Sequence, residues 1–417
     1  MPNDQAGLHG PTIAAPKSAN DDRSARLGVS LSGTNLARAG DYNQRIVLQA
    51  IRVAGETTRS ALAAITGLTA PTIANITRRL LEEGLIVEAG RNQGARGQPA
   101  VRLTINPDGG FTIGINIDRD HITIVLLDLA GRIRSRTVRE LPFAMPDQVL
   151  TALHEAIAEM RAASLFDEDR LLGVGVALPD DLGRVSLPHR PAGYDIWNDL
   201  DVAQLVGNVL PWPVHVDNDA AAAAIGEAQF GSGLSLPSFF YVLISAGLGG
   251  GLVIDGSYFR GAGARSGEIG FLPDRTAEAG RTVQQTVSLS ALFARLEAAG
   301  CPVSGVDALL GDDPAIAAVV AQWIDDAARA LLGPMIGVAC LVDPGAVLIG
   351  GRLPAPLVDA VVERLNFGLA TAHLPAGLTV SRAALSDDAP AVGAAILPFL
   401  HALLPSDAIL MQAGRNG

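Results

Sequence analysis

An Asp-Asn-Asp-Ala run, Asp217 to Ala220, stands where a short apolar strand, Val214-His215-Val216, gives way to an alanine-rich helical stretch, Asp219 to Phe230. A carboxylate at a strand-to-helix junction has two readings. It can serve as a general base, or it can cap the first free amides of the helix. Asn218 beside it can hold a ligand hydroxyl or close the turn. Glu268 sits in a glycine-rich loop, Gly261 to Phe271, where it has no evident capping role, which directs it toward a ligand. Carboxylates and an amide together suit a polyol, because each hydroxyl both donates and accepts a hydrogen bond. The glycine string Gly247 to Gly251 admits two readings of its own. Backbone amides freed of side chains can cradle a phosphate, or the glycines form a tight hairpin.

A second set of residues points to nucleic acid. Thr72, Asn75 and Arg79 recur at i, i+3 and i+7, opposite an apolar face of Ile73, Ile76 and Leu80. All three can hydrogen-bond base edges or phosphates in a major groove. Arg78, on the flank, is placed for phosphate. Arg91 and Arg96 lie among glycines in Gly90 to Pro99, a thin basic hairpin tip of the kind that fits a narrow minor groove. The competing reading is a helical cap with solvated arginines. The helix pattern, the hairpin and the local charge together favour DNA.

The elements that must position these groups follow from periodicity and punctuation. Three helices are expected near 43–53, from Thr58 to Gly67, and from Thr69 to Glu83, the last with Pro71 in its first turn. Strands at Leu85-Ile86-Val87 and Val101-Arg102-Leu103 flank the basic tip, which completes a winged helix-turn-helix with the third helix as reader. From Phe111 the pattern changes to strands at 113–117, 121–128 and 133–138, helix at 146–164 and strand at 172–178. Further strands are expected at 214–216, 239–245, 250–254 and 347–349, with helices filling 288–341. Alternation of this kind means α/β. The order strand-strand-strand-helix-strand, used twice, implies a duplicated mixed-sheet body with a cleft between two lobes.

Composition bounds the answer. A chain of 417 residues suggests about two to four domains. It is 48% hydrophobic and 18% charged, which fits a large core and excludes a disordered chain. Its longest charge-free apolar run, Ala330 to Val342, has 13 residues, short of the roughly 20 that span a bilayer. With no secretory signal visible either, a cytoplasmic location without membrane partners is expected. Two cysteines, Cys301 and Cys340, cannot make a disulfide framework or a cysteine zinc site. The net charge of −12 hides an asymmetry: residues 41–106 carry eight arginines against five acidic groups, while residues 1–40 carry four basic against three acidic. A small basic module on an acidic body is what a polyanion-binding part would produce.

Taken in order, these segments resemble the ROK family (repressors, open reading frames and kinases), from about Gly33 to Leu404. The resemblance is carried by Gly33-Thr34-Asn35, the helix-turn-helix, Asp217-Asn218-Asp219-Ala220, the glycine loop, Gly267-Glu268-Ile269-Gly270, Asp343-Pro344 with Gly350-Gly351, and Gly393-Ala394-Ala395. It implies an actin-like, ribonuclease-H-like two-lobe sugar-kinase fold behind a winged helix. The expected division is a flexible tail at 1–40, the DNA-binding domain at 41–106, a first lobe at 107–217 plus 386–417, and a second lobe at 218–385. Within that resemblance Asn218, Asp219 and Glu268 would clamp a sugar, and Phe271 stands where the family has a histidine. Gln285 falls where the family places a sugar-contacting Glu.

Departures from the family pattern separate regulator from kinase. Family kinases open the body with a sequence like Gly-Ile-Asp-x-Gly-Gly-Thr; here the Asp position is Asn116, and Asp118, Arg119 and Asp120 replace Gly-Gly-Thr. Carboxylates there oppose a triphosphate, and phosphoryl transfer rests on positioning and charge neutralisation. The stretch Leu272 to Leu289 lacks the family's zinc-binding cysteines. The expectation is therefore a sugar-responsive transcriptional regulator, a repressor of carbohydrate genes and not an enzyme. It would have no metal or cofactor, and would act as a homodimer or homotetramer on operator DNA. An active sugar kinase fused to a DNA-binding domain is the alternative, and a regulator whose body binds a partner protein and no small ligand is a third reading.

Overall fold

The structure, a computed structural model, describes residues 36–91, 100–180, 182–184 and 190–405. Helix α1 (Leu36–Ala54) leads into strand β1 (Glu56–Thr58), α2 (Arg59–Thr66) and α3 (Ala70–Glu82). α1 begins inside the stretch expected as tail: Leu36, Ala37, Arg38 and Ala39 are good helix formers, but Gly40 and the lack of an early apolar stripe conceal them in the sequence. The rest of the expected tail lies outside the described residues. Thr58 caps α2 by accepting the Ala61 N–H at 3.3 Å, and Gly67 ends it at φ +70°. Thr69 caps α3 in the same way, through the Thr72 N–H. Strands β2 (Ile86–Arg91) and β3 (Val101–Ile105) form the wing. β1 adds to the outer edge of β3, giving a small sheet in the order β1-β3-β2. A three-residue strand beside a helix cap has no period to read; the open edge of β3 decides it.

The body contains two five-stranded sheets with the same plan. The first runs β6-β5-β4-β7-β8, from β4 (Phe111–Ile117), β5 (His121–Asp128), β6 (Ile133–Glu140), β7 (Leu171–Leu178) and β8 (Val214–Asn218). The second runs β11-β10-β9-β12-β13, from β9 (Phe239–Ile244), β10 (Leu248–Ile254), β11 (Ser257–Tyr258), β12 (Ala346–Gly351) and β13 (Val380–Arg382). In each, the first three strands form an antiparallel meander and the next two join parallel. This is the duplication expected from the element order.

Two helices fill the space between the sheets: α6 (Asp219–Phe230) and α11 (Ala389–Ala402). They meet at backbone distance, since a Cβ placed on Gly393 would lie 1.6 Å from the Ala222 carbonyl oxygen. α11 lies as closely on β7, where a Cβ on Gly175 would lie 1.8 Å from the Ala394 carbonyl. The small residues of both helices therefore build one dense four-layer centre. On the outer face of the first sheet, α4 (Pro146–Ala162) and α5 (Val202–Gly207) close a core with Tyr194 and Trp197. On the second sheet the cover is α7 (Gln284–Val287), α8 (Leu289–Ala298), α9 (Pro314–Leu341) and α10 (Ala355–Thr371), around Trp323. The winged-helix core, Val47, Leu48, Ile51, Leu62, Ile73 and Leu80, is continuous with Val125 and Leu127 of β5, Ile225 of α6 and Phe399 of α11. Among the described residues no helix is long and apolar enough to cross a membrane.

Candidate functional site

A cleft of ≈ 630 Å³ opens between the sheets, within the size range of small-molecule sites. Asn218, Asp219, Glu268 and Phe271 all line it, joined by Arg119, Asp180, Arg281 and Gln285. The two readings of the Asp-Asn-Asp junction separate here. Asn218 is the cap: its Oδ1 accepts the Ala220 and Ala221 N–H groups at 2.9 and 3.1 Å. Asp219 is the first helical residue, 8% exposed, with Oδ1 accepting the Ala220 N–H at 2.7 Å. Burial, and then the neighbouring Asp118 charge, push its carboxyl up to about 7, against the pull of Arg119.

Glu268 is set by a glycine pair. Gly267 adopts φ +90° and backs onto Gly250, where a Cβ on Gly267 would lie 2.5 Å from the Gly250 carbonyl. Glu268 then leads into a short 3-10 turn, Ile269–Phe271, without making a side-chain cap. Phe271 is 56% exposed, so it fills no core and presents its ring at the cleft. Gln285 Oε1 accepts the Thr282 N–H at 2.8 Å, which braces the same wall. Nothing in the local sequence pattern marks Asp180 and Arg281, which arrive on loops from different sheets.

The glycine string Gly247–Gly251 also resolves. Gly249 and Gly251 lie in β10 under α6, where added Cβ atoms would meet Ala220 and Ala224 Cβ at 2.7 and 2.6 Å. Those glycines serve helix-on-strand packing. Only Gly247 is at the turn, and the Arg119 guanidinium covers it, with Nη1 2.8 Å from where a Cβ would be. The β4–β5 turn that delivers Arg119 is tightly held. Asp118 accepts the Arg119 N–H at 2.7 Å, and His121 Nδ1 meets Asp120 at 2.8 Å and its Nε2 meets the Asn116 amide at 3.2 Å. Arg352, just beyond β12, reaches from the second sheet to Asp120 at 3.0 Å and Glu140 at 2.6 Å on the first. Burial raises the Asp120 carboxyl, but the bond and charge of His121 and the charge of Arg352 outweigh it and hold the group below its ordinary value. Asp118, Asp120 and His121 form the group of possible metal ligands among the described residues, with ligand atoms within 4.8 Å of one another. All three are already engaged, and a cation entering there would have to displace Arg352.

The reading helix α3 buries Ile73, Thr77 and Leu80 and exposes Asn75, Arg78 and Arg79. Thr72 is half-buried, its hydroxyl 2.9 Å from that of Thr69. Arg59 fixes the helix from α2 by donating Nε–H to Thr77 Oγ1 at 2.8 Å. Arg79 pairs with Glu83 at 2.8 Å and Arg78 with Glu82 at 3.5 Å. Exposed i,i+4 pairs are weak and screened by salt, whereas a bidentate base contact in a groove is not, so DNA can take the arginines over. Arg91 ends β2 after a bulge that begins at Glu88, and Arg96 lies outside the described residues.

A winged helix with its reading face turned to solvent, docked on duplicated sheets around a cleft, is the architecture of a DNA-binding transcriptional regulator. Comparison with known proteins gives the particular family. Residues 112–399 match the model of the ROK family, and residues 41–87 match that of a winged helix-turn-helix DNA-binding domain. The chain belongs to the ROK family. It is 30% identical over 373 residues to an uncharacterized protein of Sinorhizobium fredii, covering 86% of this chain and 91% of that one. It is 29% identical over 238 residues to the xylose repressor of Bacillus subtilis, covering 55% of this chain and 60% of the repressor. A solved ROK-family transcriptional regulator, a homolog of the Escherichia coli MLC protein, superposes with a TM-score of 0.63 at 23% identity, over 91% of this chain and all of that one. At that identity the likeness speaks for the fold.

Proposed function

We propose that this protein is a sugar-responsive repressor of carbohydrate-utilisation genes, whose kinase-like body binds an inducer without phosphorylating it. The observation that carries this is the convergence of Asn218, Asp219, Glu268 and Phe271 on one cleft at the N-terminus of α6, a helix whose other end meets the winged helix. Asn218 spends its oxygen on the cap and has its amide group to donate to a ring hydroxyl. Asp219 and Glu268 supply acceptors, and the exposed Phe271 ring suits the apolar C–H face of a sugar. Asn75 and Arg79 read base edges with Thr72, while Arg78, Arg91 and Arg96 hold the backbone and minor groove. A cytoplasmic homodimer on a pseudo-palindromic operator fits one winged helix per half-site.

The kinase alternative draws on Asp219, whose carboxyl near pH 7 has the affinity of a general base. Arg119 over Gly247 and two carboxylates beside it weigh against a triphosphate. The likeness to the xylose repressor makes D-xylose the first probe. The deciding experiment measures operator binding by fluorescence anisotropy with D-xylose, D-glucose and other monosaccharides, in wild type and Glu268→Gln. The expected result is a sugar that changes wild-type operator affinity by about tenfold and leaves the variant unchanged, with no ATP-dependent sugar phosphate formed at rates on the order of 1 s⁻¹. A sugar response that survives in Glu268→Gln would remove that residue from the clamp. Turnover with ATP would establish the kinase.

A further inference from the structure

The last turn of α6 touches three parts of the molecule at once. Glu227 is completely buried, and its carboxylate has no arginine or lysine partner among the described residues. It accepts backbone N–H groups from Ser232 at 2.9 Å, Ala384 at 2.7 Å and Leu385 at 3.1 Å. Ala384 and Leu385 lie between β13 of the second sheet and α11, where the chain crosses from one sheet toward the other. Two residues beyond Glu227, α6 meets the DNA-binding domain. Arg52 of α1 donates to the Gln229 carbonyl at 2.8 Å and to the Gln229 side-chain oxygen, which also accepts from Gln49 at 3.2 Å. The Arg52 guanidinium lies 4.4 Å over the Phe230 ring. That ring is seated on the first sheet's β5–β6 turn, where a Cβ on Gly131 would lie 1.9 Å from it. The far end of α6 carries Asn218 and Asp219 into the cleft.

We propose that Gln229 and Phe230 are positioning residues that set the orientation of the winged helix according to the state of the cleft. The proposal rests on the sugar-responsive reading above. A helix of 12 residues, about 18 Å long, resists compression because shortening it breaks its own hydrogen bonds. It therefore moves as a unit. Closing the second sheet over a ligand at Asp219 shifts the crossing segment, and short hydrogen bonds bind that segment to Glu227. A buried carboxylate cannot release such donors without being left unpaired, so α6 follows. At its end the displacement meets a half-buried contact, where desolvation lowers the Arg52 pKa to about 10. Arg45 supplies a fixed point for α1 by donating to the His401 carbonyl at 2.9 Å, at the end of α11. Motion of Gln229 relative to that anchor tilts α1, and α2 and α3 pack on α1.

The test is thermodynamic coupling, measured on the full chain. Operator affinity is read by anisotropy with and without a saturating sugar from the panel above, and sugar affinity by calorimetry, in wild type, Gln229→Leu, Arg52→Leu and Arg52→Lys. Both leucine variants are expected to keep sugar affinity and sugar-free operator affinity within about threefold, while the sugar-induced change in operator affinity falls from about tenfold to below about twofold. Arg52→Lys keeps a cation and a donor at the junction and is expected to restore most of the coupling. If the leucine variants lose thermal stability and operator affinity yet keep the full sugar-induced ratio, the contact is merely structural and the proposal is overturned. A wild-type ratio retained in soluble, stable variants overturns it equally. If wild type itself answers to no sugar, the sugar-responsive reading falls and this inference with it, an outcome visible before any variant is made.

Discussion

Replacing Asp219 with Asn should make the protein more stable at neutral pH while abolishing its response to sugar. Asp219 is buried at the start of α6, and burial together with Asp118 lifts its carboxyl from an ordinary 3.8 to about 7. Well below the ordinary value the group is protonated in both the folded and unfolded chains and carries no penalty. Between the two values the unfolded chain ionises while the folded one holds its proton, so stability falls as pH rises. Above the folded value both are ionised and the full cost is present. A shift of about three units corresponds to about 4 kcal/mol, as an order of magnitude. The amide in the variant does not titrate, and its side-chain oxygen can still accept the Ala220 N–H. Urea unfolding of both proteins from about pH 4.5 to about pH 8 isolates the effect, because carboxylates that do not interact with Asp219 cancel in the difference. The variant should gain on wild type as pH rises to about 7 and hold a constant advantage above it. A difference profile that is flat with pH would refute the placement of an uncompensated carboxyl at the helix start. A variant that still responds to sugar would remove Asp219 from the clamp.

Arg352→Met should destabilise the protein by about 2 kcal/mol in urea unfolding. The loss is dominated by the Asp120 contact, because Glu140 is 61% exposed and its pair is screened; a change below about 0.5 kcal/mol would argue against a tie between the sheets. Gly393→Ala should cost about 3 kcal/mol in thermal unfolding, since its Cβ would fall 1.6 Å from a backbone oxygen that cannot move alone. A melting temperature equal to wild type would contradict the close contact of α6 with α11. Arg79→Ala should weaken operator binding by about 1–3 kcal/mol and relax specificity, whereas Arg78→Ala should weaken all DNA alike and lower the salt slope by about 1. Footprints and salt titrations distinguish them, and equal behaviour of the two variants would undo the division of roles.

Much of the local structure was legible in the chain. Thr58 and Thr69 announce helix starts and Gly67 a stop because caps act within one turn and need no tertiary partner. The limits of β5, His121–Asp128, and of α6, Asp219–Phe230, follow from an apolar run and an alanine run bounded by polar residues. The duplicated sheet plan follows from the order of the elements. The candidate sugar contacts Asn218, Asp219 and Glu268 could be picked out because each is a polar group at a junction or glycine loop where packing does not call for it.

What the chain left open were choices that depend on distant partners. Sequence alone could not divide Asn218 and Asp219 between cap and ligand group, because both residues can cap; only the geometry of the first turn assigns the cap to Asn218 and leaves Asp219 a buried carboxyl. Nor could it tell a phosphate cradle from a packing surface in Gly247–Gly251, because glycine serves any close approach; the neighbour decides, and the neighbours are the alanines of α6 and the Arg119 guanidinium. That Phe271 stands exposed at the cleft is decided by the fold and not by its neighbours in the chain. β1 and β13, of three residues each, exist because longer strands offer them an open edge. The contact of Arg52 with Gln229 joins residues 177 apart in the chain. Capping, turn chemistry and hydrophobic period are local and are written in the sequence itself, whereas burial, close approach and charge pairing depend on which distant segments meet, and only the folded chain fixes that.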